Sequence, residues 1–402
     1  VTHSLDRETL AQLALDAGLM VSGVASANPF HQARDYVVDH IERGYLSGFT
    51  WFTSERARQS GEPRTLHEHV RSIVSVAIPY WSGEYPLPDD ELRGKISRYA
   101  WGRDYHKTLK TRMKSLLAAI GNHIGRDLDA RILSDTARAF DRAIAARAGV
   151  GWYGKNSMII IPGHGSWAML GEIYLDIEIE PDQPLTNNCG RCRFCIDKCP
   201  TGAIVEPYRV DANRCISYLT IEERGPIPRE LRPLMGNWVF GCDVCQEVCP
   251  YTGAAQIVDD PAFRPASHEN VYPSLAFLMT MSEEQFRATY SGTPVTRTKR
   301  RGMARNAAIA LGNCADDRAE ELLLAGLHHD EPLVRGHAAW ALKHLTGEDA
   351  KTPLANALSG EPDDWVAEEI RWALENATRV QPPSRTLSLT PVGDIPTGPP
   401  IY

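Results

Sequence analysis

The sequence contains no apolar run long enough to cross a bilayer, and its mean hydropathy of −0.31 points away from a membrane-spanning role. It has no excess of positive charge. Forty-three Lys and Arg against 51 Asp and Glu give a net charge of −8, which argues against nonspecific nucleic-acid binding by the surface as a whole. Val1–Phe30 lacks the basic stretch, apolar core and small-residue cleavage site of an export signal. It reads as an amphipathic helix at Leu5–Leu19 and a short apolar segment, so a cytoplasmic location is expected. No dinucleotide fingerprint stands in its proper context either. Gly149-Val-Gly151-Trp-Tyr-Gly154-Lys155 fits G-x-G-x-x-G but follows a helical segment rather than a strand, so a Rossmann-type nicotinamide or flavin site is not expected. The same glycines could form a turn that brings backbone amides to a cofactor.

Nine cysteines in 402 residues are too few for a secreted disulfide scaffold, but eight of them crowd between Cys189 and Cys249. Cys314 stands apart and reads as a small hydrophobe in a helix. Cys189-x2-Cys192-x2-Cys195-x3-Cys199-Pro200 is the complete bacterial ferredoxin run, in which three thiolates wrap one [4Fe–4S] cluster and the fourth serves another. Cys242-x2-Cys245-x3-Cys249-Pro250 repeats the pattern with one member missing, which Cys215 can replace. The expected sets are Cys189, Cys192, Cys195 and Cys249 for one cluster, and Cys199, Cys215, Cys242 and Cys245 for the other. Zinc also takes C-x2-C pairs but explains neither the two C-x3-C-P endings nor the interleaving. Two adjacent clusters make a wire, and a wire needs a terminal acceptor.

Around this module the chain divides into four stretches. Residues 1–180 alternate helical and strand-like segments and predict an α/β or α+β domain of unassigned strand order. Its strands are expected at Ser72–Ile78, Ala130–Leu133, Met158–Ile161 and Ala168–Ile179, the last two as a hairpin around Pro162–Gly165. Helices are expected at Tyr105–His123 and Arg138–Ala148. Residues 181–260 form the cysteine module. Residues 282–376 carry a repeat of about 31 residues. RNAAIALGN at Arg305–Asn313 matches RGHAAWALKH at Arg335–His344 and, more weakly, EEIRWALEN at Glu368–Asn376. The pattern resembles HEAT-like helix pairs. Residues 377–402 are rich in Pro, Thr and Ser and predict disorder.

Asp104, His106, Asp135 and Asp141 are the candidate acids and bases of the first domain. Asp135 follows the Ala130–Leu133 strand and could donate a proton if burial raised its pKa. The alternative is a helix N-cap, since Ser134, Asp135 and Thr136 precede the Arg138 helix. Asp104 and Asp141 stand among basic neighbours and read as surface charges, and His106 as a structural histidine.

KISRYAWGRDYH (Lys95–His106), SDT with DRAIAARAGVGWYGKN (Ser134–Asn156), CISYLTIEERGPIP (Cys215–Pro228), WVFGCDVCQEVCP (Trp238–Pro250) and GMARNAAIALGN (Gly302–Asn313) together resemble the epoxyqueuosine reductase family over about Leu10–Leu374. The resemblance implies an oxidoreductase that removes the epoxide oxygen of epoxyqueuosine at the wobble position of a tRNA anticodon, giving queuosine. It implies base-off cobalamin in the N-terminal domain, electrons arriving through the two clusters from an unidentified donor, and Asp135 as the proton donor. Arg98, Tyr99, Lys155, Ser157, Ser217 and Asp243 match family segments that contact cobalamin. Arg58 matches less well, because RARQSGEPRTL departs from the family's Arg-x-Asp-Pro pattern. Arg297, Lys299, Arg300, Arg301 and Arg305 form the densest basic stretch and, with Arg224, are the candidate tRNA contacts. A monomer is expected. The competing readings are a cobalamin and iron–sulfur enzyme acting on small organohalides, and a plain electron carrier with an interaction solenoid.

Overall fold

The computed structural model describes residues 5–376 apart from Thr136 and Ala254, so the disorder expected for 377–402 lies outside the described residues. A four-stranded antiparallel sheet forms the heart of the N-terminal domain, in the order Val21–Ser26, Ser72–Pro79, Ala168–Leu175, Ala130–Leu133. Ser72–Pro79 is buried along its whole length because helices cover both faces. Its alternate residues divide between two cores: Val74, Val76 and Ile78 face the Tyr105–Ile124 helix, whereas Ile73 and Ala77 share a core with Ala143–Ala146 of the Asp141–Arg147 helix.

Two expectations differ from the structure here. The strand at Ala168–Leu175 does not pair with the Ile159–Ile160 strand. The latter forms its own hairpin with Trp152–Tyr153, and only a bridge between Ile161 and Gly165 closes the Pro162–Gly165 turn. The helix expected from Arg138 begins at Asp141, with Phe140 at its N-cap. Asp135 therefore lies six residues before it and does not cap it. Asp135 instead adopts a left-handed backbone conformation, φ +37°, in the loop leaving the edge strand.

The cysteine module is built from short pieces, including helices at Phe194–Lys198 and Val244–Glu247 that pack together. It is stitched to the first domain by parallel pairing of Trp238–Phe240 with Lys95–Ile96. It is fused more firmly to the repeats. Ile216, Leu219, Ile227, Trp238, Val239 and Phe240 belong to one apolar core with the repeat helices Lys299–Asn313, Pro332–Thr346 and Asp364–Glu375. These three helices carry the three sequence copies and stack in order. The shorter helices Ala319–Gly326 and Lys351–Ser359 pack between and beside them. Gly336 is required by this stacking, since a Cβ there would meet the Trp365 ring at 2.5 Å. Among the described residues no helix is long and apolar enough to cross a membrane.

Candidate active site

The fold brings the eight crowded cysteines into two groups. Cys189, Cys192, Cys195 and Cys249 line one cavity together with Lys155, Asn156, Ile160 and Tyr251. Cys199, Cys215, Cys242 and Cys245 act electrostatically on one another in a second group, and Cys245 also faces Cys195 of the first. Burial pushes the Cys195 thiol up to about 12 and raises Cys242 and Cys245 well above the ordinary range. Ionised sulfurs at such depth need a positive partner, which bound iron supplies. Tetrahedral zinc, with Zn–S of about 2.3 Å, would draw its sulfurs to about 3.8 Å of one another. Among the described residues no three His, Cys, Asp or Glu side chains are grouped to hold a single metal ion.

The Gly-rich turn serves these loops. It carries Lys155, whose buried ammonium donates to the Gly190 carbonyl at 2.6 Å and the Cys192 carbonyl at 2.9 Å, and Asn156, which donates to the Cys245 carbonyl at 3.3 Å. On the far side of the second group, Asp243 is buried and accepts from Ser97 Oγ at 2.6 Å, the Arg98 backbone N–H at 2.8 Å and Gln246 Nε2 at 3.1 Å. It ties the 97–98 turn to the cysteine loop.

Asp135 is held differently. Its Oδ2 accepts from Tyr105 Oη at 2.5 Å and lies 3.0 Å from His106 Nε2, and its side chain is half-exposed. The other face of the His106 ring meets Asp104 Oδ1, 2.8 Å from Nδ1. The Asp135 backbone N–H donates to Asp141 Oδ2 at 2.8 Å. Asp141 in turn faces Glu172, a fully buried residue of the central sheet; Asp141 Oδ1 and both Glu172 carboxyl oxygens have no donor among the described residues, so a proton held between the two carboxyls is what satisfies them. Burial raises the pKa of both, reinforced by the charge of Asp135 at Asp141 and by that of Asp141 at Glu172.

Burial also works to raise Asp135, but hydrogen bonds from His106 and Tyr105, with the charges of His106 and Arg297, outweigh it and hold the carboxyl below its ordinary range. The expectation of an acid raised by burial is thereby corrected: the neighbours favour the ionised form. Asp104, His106 and Asp141, expected to be surface or structural groups, converge on Asp135. Glu172 and Tyr105 were missed. The signal for Glu172 is a lone acid in the otherwise uncharged strand AMLGEIYL.

The comparisons with known proteins agree with this architecture. The model described as "Epoxyqueuosine reductase QueG, DUF1730" matches residues 61–136, that of the 4Fe-4S double cluster binding domain 188–252, and that of HEAT repeats 297–375. The epoxyqueuosine reductase of Escherichia coli (strain K12) is 45% identical over 350 residues, covering 85% of this chain and 91% of that protein. This chain belongs to the epoxyqueuosine reductase family. The Xanthomonas campestris pv. campestris member is 37% identical over 338 residues, 82% of this chain and 93% of its own length. A crystal structure of an epoxyqueuosine reductase with an epoxyqueuosine-modified tRNA-Tyr stem loop superposes with a TM-score of 0.85 at 34% identity, covering 92% of this chain and 98% of that one. A Bacillus subtilis structure, whose catalytic aspartate loop is swung out of the active site, gives 0.84 at 34% identity with the same coverage.

Within this family member, several residues expected to contact cofactor are committed to the protein itself. The Arg98 guanidinium is buried against Trp81 and Trp101 and donates to the Gly83 carbonyl and to Glu84, each at 2.7 Å. Lys155 and Asp243 are spent as described, and Ser157 Oγ donates to the Tyr208 carbonyl. Arg58 is exposed and pairs loosely with Glu55 at 3.6 Å, while Arg56 of the same helix reaches the Ala137 carbonyl at 3.1 Å in the Asp135 loop. Tyr99 packs against Tyr105 and Phe240 and feels the charges of both Asp135 and Asp243. Ser217 is half-buried in the helix after Cys215.

The basic residues also separate. Arg305 is fully buried and donates to the carbonyls of Leu219, Glu223 and Gly225 at 2.8–2.9 Å, so it fastens a loop and does not face tRNA. Arg300 is largely buried and pairs with Asp330 at 2.5 Å. Arg297 forms a two-pronged pair with Glu222 at 2.6 and 2.9 Å, and Arg224 lies beside the same carboxylate at 3.8 Å. Lys299 and Arg301 are exposed and line an open groove with Thr296, Arg287 and Glu283.

Proposed function

We propose that this protein reduces epoxyqueuosine to queuosine at the wobble position of a tRNA anticodon, working as a cytoplasmic monomer. Asp135 carries the reading. It is a half-exposed carboxylate with one oxygen held by Tyr105 and His106 and the other without a partner among the described residues, and it acts on the same Tyr99 ring as Asp243, the neighbour of Cys242. Two [4Fe–4S] clusters, one on Cys189, Cys192, Cys195 and Cys249 and one on Cys199, Cys215, Cys242 and Cys245, would carry single electrons from an external one-electron donor. Base-off cobalamin would supply a reducing metal centre for the epoxide carbon. Tyr99, Ser217 and Asp135 are the matched residues left to face it, and the open carboxylate beside a half-buried aromatic ring supports that fit.

The chain's own work is to hold the substrate and manage protons. An alkoxide is a poor leaving group, so Asp135 delivers a proton to the epoxide oxygen as its bond to carbon breaks. Lys299 and Arg301, with Arg297 and Arg224 nearer the acid, meet phosphates of the anticodon stem–loop and set its register. The test is an anaerobic assay of protein holding eight irons and one corrinoid, with a chemical reductant and tRNA bearing epoxyqueuosine, nucleosides being read by mass spectrometry. Cobalamin-dependent loss of one oxygen is the expected result, and no conversion by that preparation overturns the proposal.

A further inference from the structure

His106 stands between two carboxylates. Nδ1 lies 2.8 Å from Asp104 Oδ1, and Nε2 lies 3.0 Å from Asp135 Oδ2. A neutral imidazole has one N–H and one lone pair, so it would satisfy one carboxylate and turn its lone pair on the other. The triad closes only with one more proton. Asp104 Oδ1 already accepts the His106 backbone N–H at 3.1 Å, and Asp135 Oδ2 already accepts the Tyr105 hydroxyl at 2.5 Å. Both facing oxygens are thus set as acceptors, and the extra proton belongs on the ring. We infer that His106 is the proton store of this site: an imidazolium, oriented by Asp104, that recharges Asp135 through Nε2 and Oδ2.

The inference rests on Asp135 being the acid proposed above, and the proton count follows from the reaction. Converting an epoxide to an alkene and water takes two electrons and two protons. The electrons come from the one-electron donor feeding the clusters. In the first stage a carbon–oxygen bond breaks with its electron pair on oxygen, and that oxygen takes the proton that His106 Nε2 passes through the ionised carboxylate of Asp135. The second bond then breaks, and a second proton completes the departing water. Asp135, ionised at rest, stores neither proton and must draw each from a neighbour. His106 refills it by losing its Nε2 proton to Oδ2, and the ring, one-third exposed, is recharged from solvent. The Asp141–Glu172 proton cannot play this part, because the pair is joined to Asp135 through the backbone N–H and not through its carboxyl.

The groups around the ring favour its charged form. Asp135 and Asp104 face its two nitrogens, Tyr105 stacks on it with ring centroids 4.1 Å apart, and Tyr99 lies behind Tyr105. Further out, Asp141 and Glu172 lie behind Asp135, and Arg297, paired with Glu222, acts on Asp135. The positive end of the Tyr105–Ile124 helix opposes a cation at His106, but two carboxylates in direct contact outweigh one helix terminus. The hydrogen bond that the ring donates to Asp135, then that to Asp104, raises the His106 pKa against its burial.

A raised histidine pKa fixes the sign of the pH dependence: turnover persists below the raised value and falls as pH rises through it. In cluster-loaded, full-length protein with 15N-labelled histidine, the His106 signal, identified by its loss in His106→Gln, should show both ring nitrogens protonated at pH 7. Asp104→Asn keeps a side chain able to cap the helix. In that variant the His106 titration and the falling limb of turnover should move together to lower pH. His106→Gln should lower kcat on the order of 100-fold while leaving KM for tRNA unchanged. A neutral ring at pH 7, or a limb that Asp104→Asn leaves in place, overturns the inference. Absence of turnover in the unaltered protein would instead remove the proposed function, and the nitrogen signals would still decide the charge of His106.

Discussion

Asp135 and Asp243 both act on Tyr99, yet the protein treats them in opposite ways. Asp243 is fully enclosed, and both its oxygens meet donors from Ser97, Arg98 and Gln246. Burial pushes it up to about 6 in spite of those bonds. Asp135 is half-exposed, has one occupied oxygen and is held below the carboxylate range by its donors. A carboxyl whose bonding capacity is used up can join two loops but cannot meet a substrate. One with an oxygen to spare can. The same division runs through the cations, with Arg305 and Lys155 spent on backbone carbonyls and Lys299 and Arg301 open to solvent.

Substitutions sharpen or break this contrast. The largest effect is expected from Asp135→Asn, which should lower turnover about 100- to 10,000-fold with iron content and melting temperature unchanged. Near-normal turnover in the nucleoside assay would remove Asp135 as the proton donor. Arg305→Met should act on stability instead. It leaves one buried and two part-buried carbonyls without their donor and should cost at least about 2 kcal/mol in chemical denaturation, without altering tRNA affinity of the folded protein. Weaker tRNA binding by a fully stable variant would contradict its burial.

Reversing Lys299 and Arg301 to Glu should weaken tRNA binding roughly 10-fold at moderate salt and flatten the salt dependence by about one unit per lost phosphate contact. Equal affinity at low and moderate salt would discard the groove as a contact. The smallest effect concerns Asp243. A carboxyl raised to about 6 binds its proton more tightly in the folded state, so its contribution to stability falls as pH rises from about 4 to 6. Asp243→Asn lacks that slope, and its deficit relative to the unaltered protein should shrink across this window. A deficit constant with pH would mean that Asp243 does not titrate there.

The cysteine module was legible because its chemistry is local: four of its eight cysteines fall within eleven residues, and ligand spacing is itself the motif. The repeats were legible through their period, and the strands at Ser72–Ile78 and Ala130–Leu133 through their apolar runs. The acid site is assembled from Asp104–His106, Asp135, Asp141 and Glu172, three separate loops or helix starts and one strand. No spacing rule links them. Composition misled at Asp141, whose basic neighbour Arg142 turns outward to the Ser157 carbonyl while its own carboxylate turns in. It misled again at Arg305, where a dense basic run contains both surface charges and a buried clamp. Density of charge along a chain does not say which side of a helix each residue occupies.

The single apolar core shared by the repeats and the cysteine module has a mechanical consequence. Arg232 and Glu369 bind in a buried two-pronged pair at 2.8 and 3.0 Å, and Asn306 donates to Thr220 and Val239, so the last repeat and the cysteine loops move as one piece. With an RNA hairpin seated on the groove of Lys299 and Arg301, the span from that groove to Asp135 becomes the fixed opening of a caliper. A stem lengthened by one base pair would carry its loop past the jaw, so the frame itself would measure which nucleotide is brought to the acid.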